Sequence, residues 1–302
     1  MNINEFTALA AEGVLQCLRE EGDDQVRIQT TQLMKMNDQS LHGLTFQKGE
    51  EPAPTYYLDE MFTAYTSGVG TEELFSGLAH AYRDNLANGP MPTEIPDLEY
   101  RNIRRKVGVR LLGMDYNRQF LKTVPYREVG HGYALICEVH IGSSDGGLFS
   151  TIVTNDMAEE YRYNMDELFD AALETAWKTH AASFDPVSRL LDSADEQETC
   201  FVLSTNRQMY GAAALFYPGT QDMIAHVLNE GYYAIPSSLH EFIIMRESQV
   251  PDPERLRQMV IEANRVIVRP EDVLSDNLLY YSKITGELSQ VLPAEACMDF
   301  AG

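Results

Sequence analysis

Residues 199–247 constrain the fold of this chain more than any other stretch. We interpret the runs 201–205 and 210–216 as strands and the four residues between them as a turn, which predicts a β-hairpin. Apolar residues at helical spacing then predict a helix. The runs 232–235 and 242–245 predict a second hairpin. A hairpin, a helix and a hairpin in this order indicate an α+β fold with an antiparallel sheet.

The N-terminal part of the chain predicts a helix, a hairpin and two more helices. Apolar residues recur at helical spacing over residues 4–21, and residues 26–34 and 41–47 alternate as strands around a short polar turn. Residues 57–65 and 71–88 predict the two helices that follow.

A proline-rich segment suggests where this region ends. Three prolines lie between Asn88 and Pro96, and such a composition is typical of a linker. The chain of 302 residues is long enough for two domains. We therefore expect an N-terminal domain at residues 1–96 and an α+β module with an antiparallel sheet at residues 97–302, either separate or packed as one unit.

Residues 98–121 predict a helix that carries the main basic cluster of an acidic chain. Its apolar face would contain Ile103, Val107, Leu111 and Leu112. The basic residues of the cluster are Arg101, Arg104, Arg105, Lys106 and Arg110. We take Arg101, Arg104 and Arg105 as candidate interaction residues. The alternative is a solvated helix face that forms salt bridges with the acidic excess.

The rest of the C-terminal region predicts a mixture of strands and helices. Strands are expected at 133–141 and 148–154, followed by a helix that Asn164 caps. Asp252 caps a later helix with Pro253 at its first position. One more strand is expected within residues 273–288.

The net charge limits the classes of partner. The chain has 46 acidic and 23 basic residues and a formal net charge of −23. This charge repels nucleic-acid phosphates and anionic membranes, so we expect direct binding to neither. An acidic surface keeps a protein soluble, or it imitates nucleic acid and occupies a basic groove on a protein partner.

Residues 236–241, with the sequence PSSLHE, form the segment that most resembles a catalytic site. On a strand, Ser238 and His240 would face the same way, as a hydrolase requires, but Glu241 would face the opposite way. There is no Gly-x-Ser-x-Gly turn to present a nucleophile. The alternative is structural: the serines satisfy backbone groups in a tight turn, and His240 and Glu241 hydrogen-bond across it.

Two asparagines are further candidates. Asn155 and Asn206 each follow a threonine beside a predicted strand end, and we take them as interaction residues or as partners of Ser238 and His240 in a hydrolase. The histidines have no ligand spacing, and no phosphate-binding loop is present, so the sequence predicts no metal and no cofactor.

The N-terminus has no basic and apolar signal segment, and no apolar run is long enough to span a bilayer. The four cysteines are widely spaced and form no CxxC pair. We therefore expect a cytoplasmic protein.

The chain resembles domain of unknown function 5688, a family of bacterial proteins that is common in gut anaerobes and their mobile elements. The motifs that carry the resemblance are LHGL at 41–44, PTYYL at 54–58, NR at 117–118, VP at 124–125, YGAA at 210–213, YPG at 217–219, PSSLHE at 236–241 and VLSD at 273–276. The resemblance covers nearly the whole chain. It implies an α+β fold and supplies no catalytic residue or cofactor.

Two functional hypotheses follow from the sequence. The first is a cytoplasmic binding or regulatory protein without catalysis, which acts on a basic or nucleic-acid-binding protein as an acidic inhibitor or nucleic-acid mimic from a mobile element. The second is a hydrolase that uses residues 236–241.

Overall fold

The computed structural model describes residues 1–49, 54–88, 97–144, 147–190 and 199–291. The chain forms two compact units, and the fold is α+β with antiparallel sheets. The first unit consists of Met1–Lys35 and Gln39–Pro96, and the second of Met36–Asp38 and Asp97–Gly302. The linker predicted at residues 88–96 lies outside the described residues from residue 89 onward.

The first unit begins with helix α1 (Ile3–Glu20), as predicted. Asn2 and Glu5 form a capping box, in which each side chain accepts from the backbone N–H of the other residue. The side chains that recur at helical spacing are buried, which explains why this helix could be predicted from the sequence.

A three-stranded antiparallel sheet packs against this helix, in the order β1 (Arg27–Met34), β2 (Ser40–Gln47) and β3 (Thr55–Tyr57). The predicted hairpin of β1 and β2 is confirmed. Helices α2 (Asp59–Thr66) and α3 (Thr71–Asn88) follow. Tyr57 ends β3 and does not begin α2, because β3 pairs with β2 from Thr55 to Tyr57.

The second unit contains a four-stranded antiparallel sheet. Its elements are α4 (Tyr100–Ile103), β4 (Val107–Gly113), β5 (Tyr126–Val129), β6 (Tyr133–Ser144), β7 (Gly147–Ile152), α5 (Asn155–Glu160) and α6 (Met165–Thr179). Strand β4 pairs with one edge of β6, and β5 and β7 share the other edge. The predicted strands β6 and β7 are confirmed, and Asn164 caps α6 as expected.

The helix predicted for residues 98–121 is wrong. One helical turn, α4, precedes strand β4, and two short 3₁₀ turns follow it. Strand β4 is buried on both faces, so apart from Arg110 its sequence is an apolar run, in which a strand and a helix cannot be told apart by periodicity. Pairing with seven residues of β6 determines the strand.

A six-stranded antiparallel sheet completes the second unit. Its elements are β8 (Ala182–Pro186), α7 (Val187–Leu190), β9 (Cys200–Thr205), α8 (Thr220–Leu228), β10 (Tyr232–Ser238), β11 (Glu241–Arg246), α9 (Pro253–Val266), β12 (Leu279–Ser282) and β13 (Glu287–Gln290). The strand order is β13-β12-β10-β11-β9-β8. The predicted hairpin of β10 and β11 is confirmed, and so is the cap of α9 by Asp252.

The hairpin predicted at residues 201–216 is wrong. Strand β9 is present, but Gly211–Phe216 forms a 3₁₀ helix whose small residues pack tightly against β9. A Cβ atom at Gly211 would lie 2.3 Å from the Ser204 hydroxyl and 2.6 Å from the His240 carbonyl oxygen. Three consecutive alanines have little strand preference, and this close packing determines their conformation.

The turn between β1 and β2 belongs to the second unit through Asn37. The Asn37 backbone N–H donates to Asn117 Oδ1 at 2.6 Å, and Asn117 Nδ2 donates back to Asn37 Oδ1 at 2.9 Å. Asn37 Nδ2 donates to the carbonyl oxygens of Pro270 and Val273 at 2.9 and 2.8 Å. Asn37 has a left-handed φ of 59°, which asparagine tolerates better than most residues.

Candidate functional site

The second unit contains a cavity of about 90 Å³ where β4, β6 and β7 meet the ends of β9 and α6. The lining residues are Gly108, Val109, Arg110, Glu138, His140, Ser150, Ala176, His180, Thr205, Arg207, Met209, Tyr210 and Tyr217.

Strand register brings the polar lining together. Gly108 lies opposite Glu138 on the neighbouring strand, and His140 lies opposite Ser150. Side chains alternate along a strand, so Gly108 and Arg110 share a face. A Cβ atom at Gly108 would lie 3.2 Å from His140 Nε2, so glycine at this position leaves space for the imidazole.

Glu138 is the centre of a buried charge network. Arg110 Nε donates to Glu138 Oε2 at 2.8 Å, and the Ser150 hydroxyl donates to the same oxygen at 2.9 Å. Only 7% of Glu138 is exposed. Burial alone would raise the pKa of Glu138, but hydrogen bonds from His140, Arg110 and Ser150 and the charge of Arg110 outweigh it and lower the pKa to about 2. Glu138 is therefore ionised at neutral pH.

Tyr210 connects this network to the end of β9. The Arg110 guanidinium carbon lies 3.7 Å from the centroid of the Tyr210 ring, a cation–π contact. Tyr210 has a left-handed φ of 50°, which is strained for an aromatic residue. Its backbone N–H donates to His240 Nδ1 at 3.1 Å, and His240 Nε2 lies 3.3 Å from Asp272 Oδ1.

Two histidine rings lie in the cavity wall, 5.5 Å apart at an angle of 87°. Ionised Glu138 only accepts, so its 3.4 Å contact requires a proton on His140 Nε2. The Thr179 hydroxyl donates to the Thr175 carbonyl oxygen and therefore accepts from His180 Nδ1 at 3.1 Å. The remaining nitrogens, His140 Nδ1 and His180 Nε2, are open to solvent and have no hydrogen-bond partner among the described residues.

Two cavity residues have polar groups without partners. Thr205 is 2% exposed, and its hydroxyl forms no hydrogen bond with any residue that the structure describes. Arg207 is exposed and forms no ion pair within the described part of the chain. A buried hydroxyl without a partner is costly, and Thr205 is one of the residues that line the cavity.

The structure places the candidate hydrolase residues in the turn between β10 and β11. The Ser238 hydroxyl accepts from the backbone N–H of His240 at 3.1 Å, and the hydrogen bonds of the described residues include none between this hydroxyl and the imidazole ring. Both ring nitrogens of His240 have the partners described above. Glu241 Oε1 accepts from the Ser237 hydroxyl at 3.1 Å. Ser238 is therefore not positioned for activation by His240.

The predicted interaction residues lie apart from the cavity lining. Arg101 is exposed and pairs with Glu99, and Arg104 and Arg105 line an open groove beside α6. Acidic and basic residues both line this groove, so it has no strong positive charge; the acidic ones are Glu167, Asp170 and Glu174.

The two asparagines are on different elements. Asn155 begins α5 and donates through Nδ2 to the Lys122 carbonyl oxygen at 2.8 Å. Asn206 follows β9, and its exposed side chain forms no hydrogen bond with the described residues. These two residues do not contact each other through hydrogen bonds.

Sequence reasoning missed the residues of the cavity because they are far apart in the chain. Arg110 was assigned to the basic helical cluster, but it lies in β4 and pairs with Glu138. The alternation of Glu138 and His140 along β6 was the available local signal, since it places both side chains on one face.

Comparison with known protein families gives one match. The family model described as "Family of unknown function (DUF5688)" matches residues 3–283. The chain belongs to this family. No curated protein and no solved structure matches the chain.

The described residues contain no group of three or more histidine, cysteine, aspartate or glutamate side chains that could hold a metal ion. In the same part of the chain, no helix is both long and apolar enough to cross a bilayer.

Proposed function

We propose that this chain is a binding protein without catalytic activity, and that its second unit binds a compact polar molecule in the cavity. The observation that carries the proposal is the Thr205 hydroxyl, which is buried in the cavity wall and has no partner among the described residues. A ligand that accepts from or donates to this hydroxyl would remove the cost of burying it unpaired.

The state of the neighbouring groups supports binding over catalysis. The Ser150 hydroxyl donates to Glu138, but the pKa of this carboxylate is lowered to about 2, so Glu138 is too weak a base to activate the hydroxyl. Glu138 itself accepts from Arg110, Ser150 and His140. Such a saturated carboxylate holds its neighbours in place and is a poor general base.

The size of the cavity limits the ligand. A cavity of about 150 Å³ accommodates benzene, and the volume here is about 90 Å³. The cavity therefore fits a molecule smaller than benzene, or the polar head group of a larger molecule that extends past the exposed Arg207.

Thermal-shift measurements with compact neutral, cationic and anionic compounds test this proposal. A ligand that binds the folded protein raises the melting temperature. Thr205→Val keeps the side-chain shape and removes the unpaired hydroxyl, so it should leave the melting temperature unchanged or higher and abolish the ligand-induced shift.

Ser204→Ala is the matched control, because Ser204 is the preceding residue of β9 and its hydroxyl donates to the His240 carbonyl oxygen at 2.8 Å. This variant should lower the melting temperature and retain the ligand-induced shift. The absence of any shift across the panel, or equal shifts in wild type and Thr205→Val, would contradict the proposal.

We also propose a second function, in which the acidic surface engages a basic protein partner in the cytoplasm, as an inhibitor or nucleic-acid mimic of the kind that mobile elements encode. The formal net charge of −23 supports it. A pull-down from nuclease-treated lysate at low and high salt tests it. A stoichiometric basic partner that is lost at high salt is expected. No basic partner at low salt would contradict this second function.

A further inference from the structure

We infer that the cavity binds an oxyanion with two negative charges, either a phosphate group or a dicarboxylate, and that His180 takes up a proton when it binds. This inference rests on the proposed small-molecule site. It specifies the chemical class of the ligand and adds a linkage between binding and pH.

The charges around the cavity favour an anion. Arg110 is balanced by Glu138, with which it pairs. Arg207 lines the same cavity and has no acidic partner in the described ranges of the chain. A second, independent donor is the unpaired hydroxyl of Thr205, which can donate to an oxyanion. Arginine and hydroxyl side chains commonly donate hydrogen bonds to phosphate and carboxylate oxygens, so these two groups suit an oxyanion.

Arg110 has a spare donor as well. Its Nε and Nη2 atoms bond to Glu138 and Ser150, whereas among the described residues the one partner of Nη1 is the sulfur atom of Met36 at 4.0 Å. Sulfur is a weak acceptor, so an anionic oxygen would be a better partner for this N–H group.

His180 explains the linkage to pH. When its ring is neutral, His180 Nε2 is a lone-pair acceptor, and a lone pair repels an oxyanion. Protonation turns this nitrogen into a donor and adds a positive charge beside the ligand. An oxyanion therefore binds best to the protonated ring and favours its protonation.

The surroundings oppose that protonation in the free protein. The titratable and charged groups that face the two rings are Glu138 on β6, Arg110 on β4, Arg207, Tyr210 and Tyr217. Burial and the neighbouring charges of Arg207 and His140 lower the pKa of His180. Burial raises the pKa of Tyr217, which stays neutral and adds no charge. The free protein therefore holds His180 neutral at pH 7, and the ligand's charge reverses this preference.

Isothermal titration calorimetry with sulfate tests the inference. Sulfate remains a dianion across the pH range in use, so any pH dependence of its affinity comes from protonation of the protein. We expect sulfate affinity to rise up to about tenfold per pH unit for each proton taken up, as pH falls below about 7. Titrations in buffers of different ionisation enthalpy should show net proton uptake. Inorganic phosphate and malonate, compared at one pH, distinguish a phosphate ligand from a dicarboxylate.

Single substitutions identify the side chain that takes up the proton and the side chain that binds sulfate. His180→Gln should reduce the proton uptake and flatten the pH dependence. Arg207→Ala should weaken sulfate binding at least tenfold at every pH, whereas Arg118→Ala should leave it unchanged. Arg118 is the matched control, since it is an exposed arginine outside the cavity lining and its loss changes the net charge equally.

Three outcomes overturn the inference in distinguishable ways. Oxyanions that bind without pH dependence would show that His180 takes up no proton on binding. Neutral or cationic compounds that bind in a Thr205-dependent manner, with no binding of sulfate, phosphate or malonate, would overturn the ligand class and leave the proposed function intact. The absence of binding by every compound in the panel would overturn both.

Discussion

Arg110 contacts Glu138 on one side and the ring of Tyr210 on the other, with Nε 2.8 Å from the carboxylate and the guanidinium carbon 3.7 Å from the ring centroid. The ion pair joins β4 to β6, and the cation–π contact joins β4 to the segment after β9. One side chain thus fixes the relative positions of three parts of the cavity wall.

Glu138→Gln should lower the free energy of unfolding by about 3–5 kcal/mol, because it leaves the mostly buried charge of Arg110 without a partner. Urea denaturation measures the loss. Glu128→Gln is the control, since Glu128 is exposed on β5, and its effect should stay within about 0.5 kcal/mol. Equal effects of the two substitutions would show that the buried pair adds nothing to stability.

The ion pair of Arg110 and Glu138 also predicts that the stability of the protein depends on pH under acidic conditions. The pKa of Glu138 is lowered to about 2 in the folded protein, from an ordinary value of 4.5. Its contribution is therefore fully present above pH 4.5 and is lost as pH falls toward 2. The difference in unfolding free energy between wild type and Glu138→Gln should shrink over this window. A constant difference would mean that Glu138 is not ionised in the folded protein.

The lowered pKa of His180 predicts a second change of stability with pH, closer to neutral pH. Its pKa is lowered on folding, mainly by burial, so below its ordinary pKa of 6.5 the unfolded chain binds more protons than the folded one. Stability without ligand should fall as pH decreases through this range, and His180→Gln should remove that part of the decrease. Urea denaturation of both proteins at several pH values measures it. Identical slopes for the two would contradict the assignment.

Asn37→Ala should lower the free energy of unfolding of the second unit by about 3 kcal/mol or more. The substitution removes one acceptor of Asn117 Nδ2, leaves the carbonyl oxygens of Pro270 and Val273 without the Asn37 Nδ2 donor, and puts alanine at a left-handed φ. Urea denaturation, monitored by hydrogen exchange in the second unit, measures the loss. Asn206→Ala is the control, because the Asn206 side chain is exposed. If Asn37→Ala lowers the free energy of unfolding no more than Asn206→Ala does, the network around Asn37 does not stabilise the unit.

His240→Ala should lower the melting temperature by several degrees, a loss of about 1–3 kcal/mol, because it leaves the Tyr210 N–H unpaired and removes the contact with Asp272. Ser238→Ala should have a smaller effect, since its hydroxyl accepts one bond within a turn. An unchanged melting curve for His240→Ala would deny His240 a structural role and restore the hydrolase hypothesis.

The parts of the fold that could be predicted are those with clear local signals. Helix α1 has one apolar face and a capping box, and the hairpin of β10 and β11 has alternating residues around a proline and two serines. Asn164 and Asp252 were identified as caps because these residue types satisfy free N–H groups at helix starts.

The parts that could not be predicted depend on tertiary contacts. Strand β4 is buried on both faces, so the spacing of Val107 and Leu111 fits a helix equally well. The 3₁₀ helix Gly211–Phe216 begins so close to Ser204 and His240 that only a residue without a side chain fits at its first position. The cavity combines residues from β4, β6, β7 and β9, and no short motif contains them.

A crystal structure of the protein with the compound that gives the largest Thr205-dependent thermal shift tests the central claim most directly. The measured quantity is the distance from Thr205 Oγ1 to the nearest ligand atom. We predict an oxygen atom of the ligand within about 3 Å of this hydroxyl, with Arg207 turned toward the same molecule. A ligand bound elsewhere, with Thr205 Oγ1 bonded only to water, would contradict the claim that this cavity is the binding site.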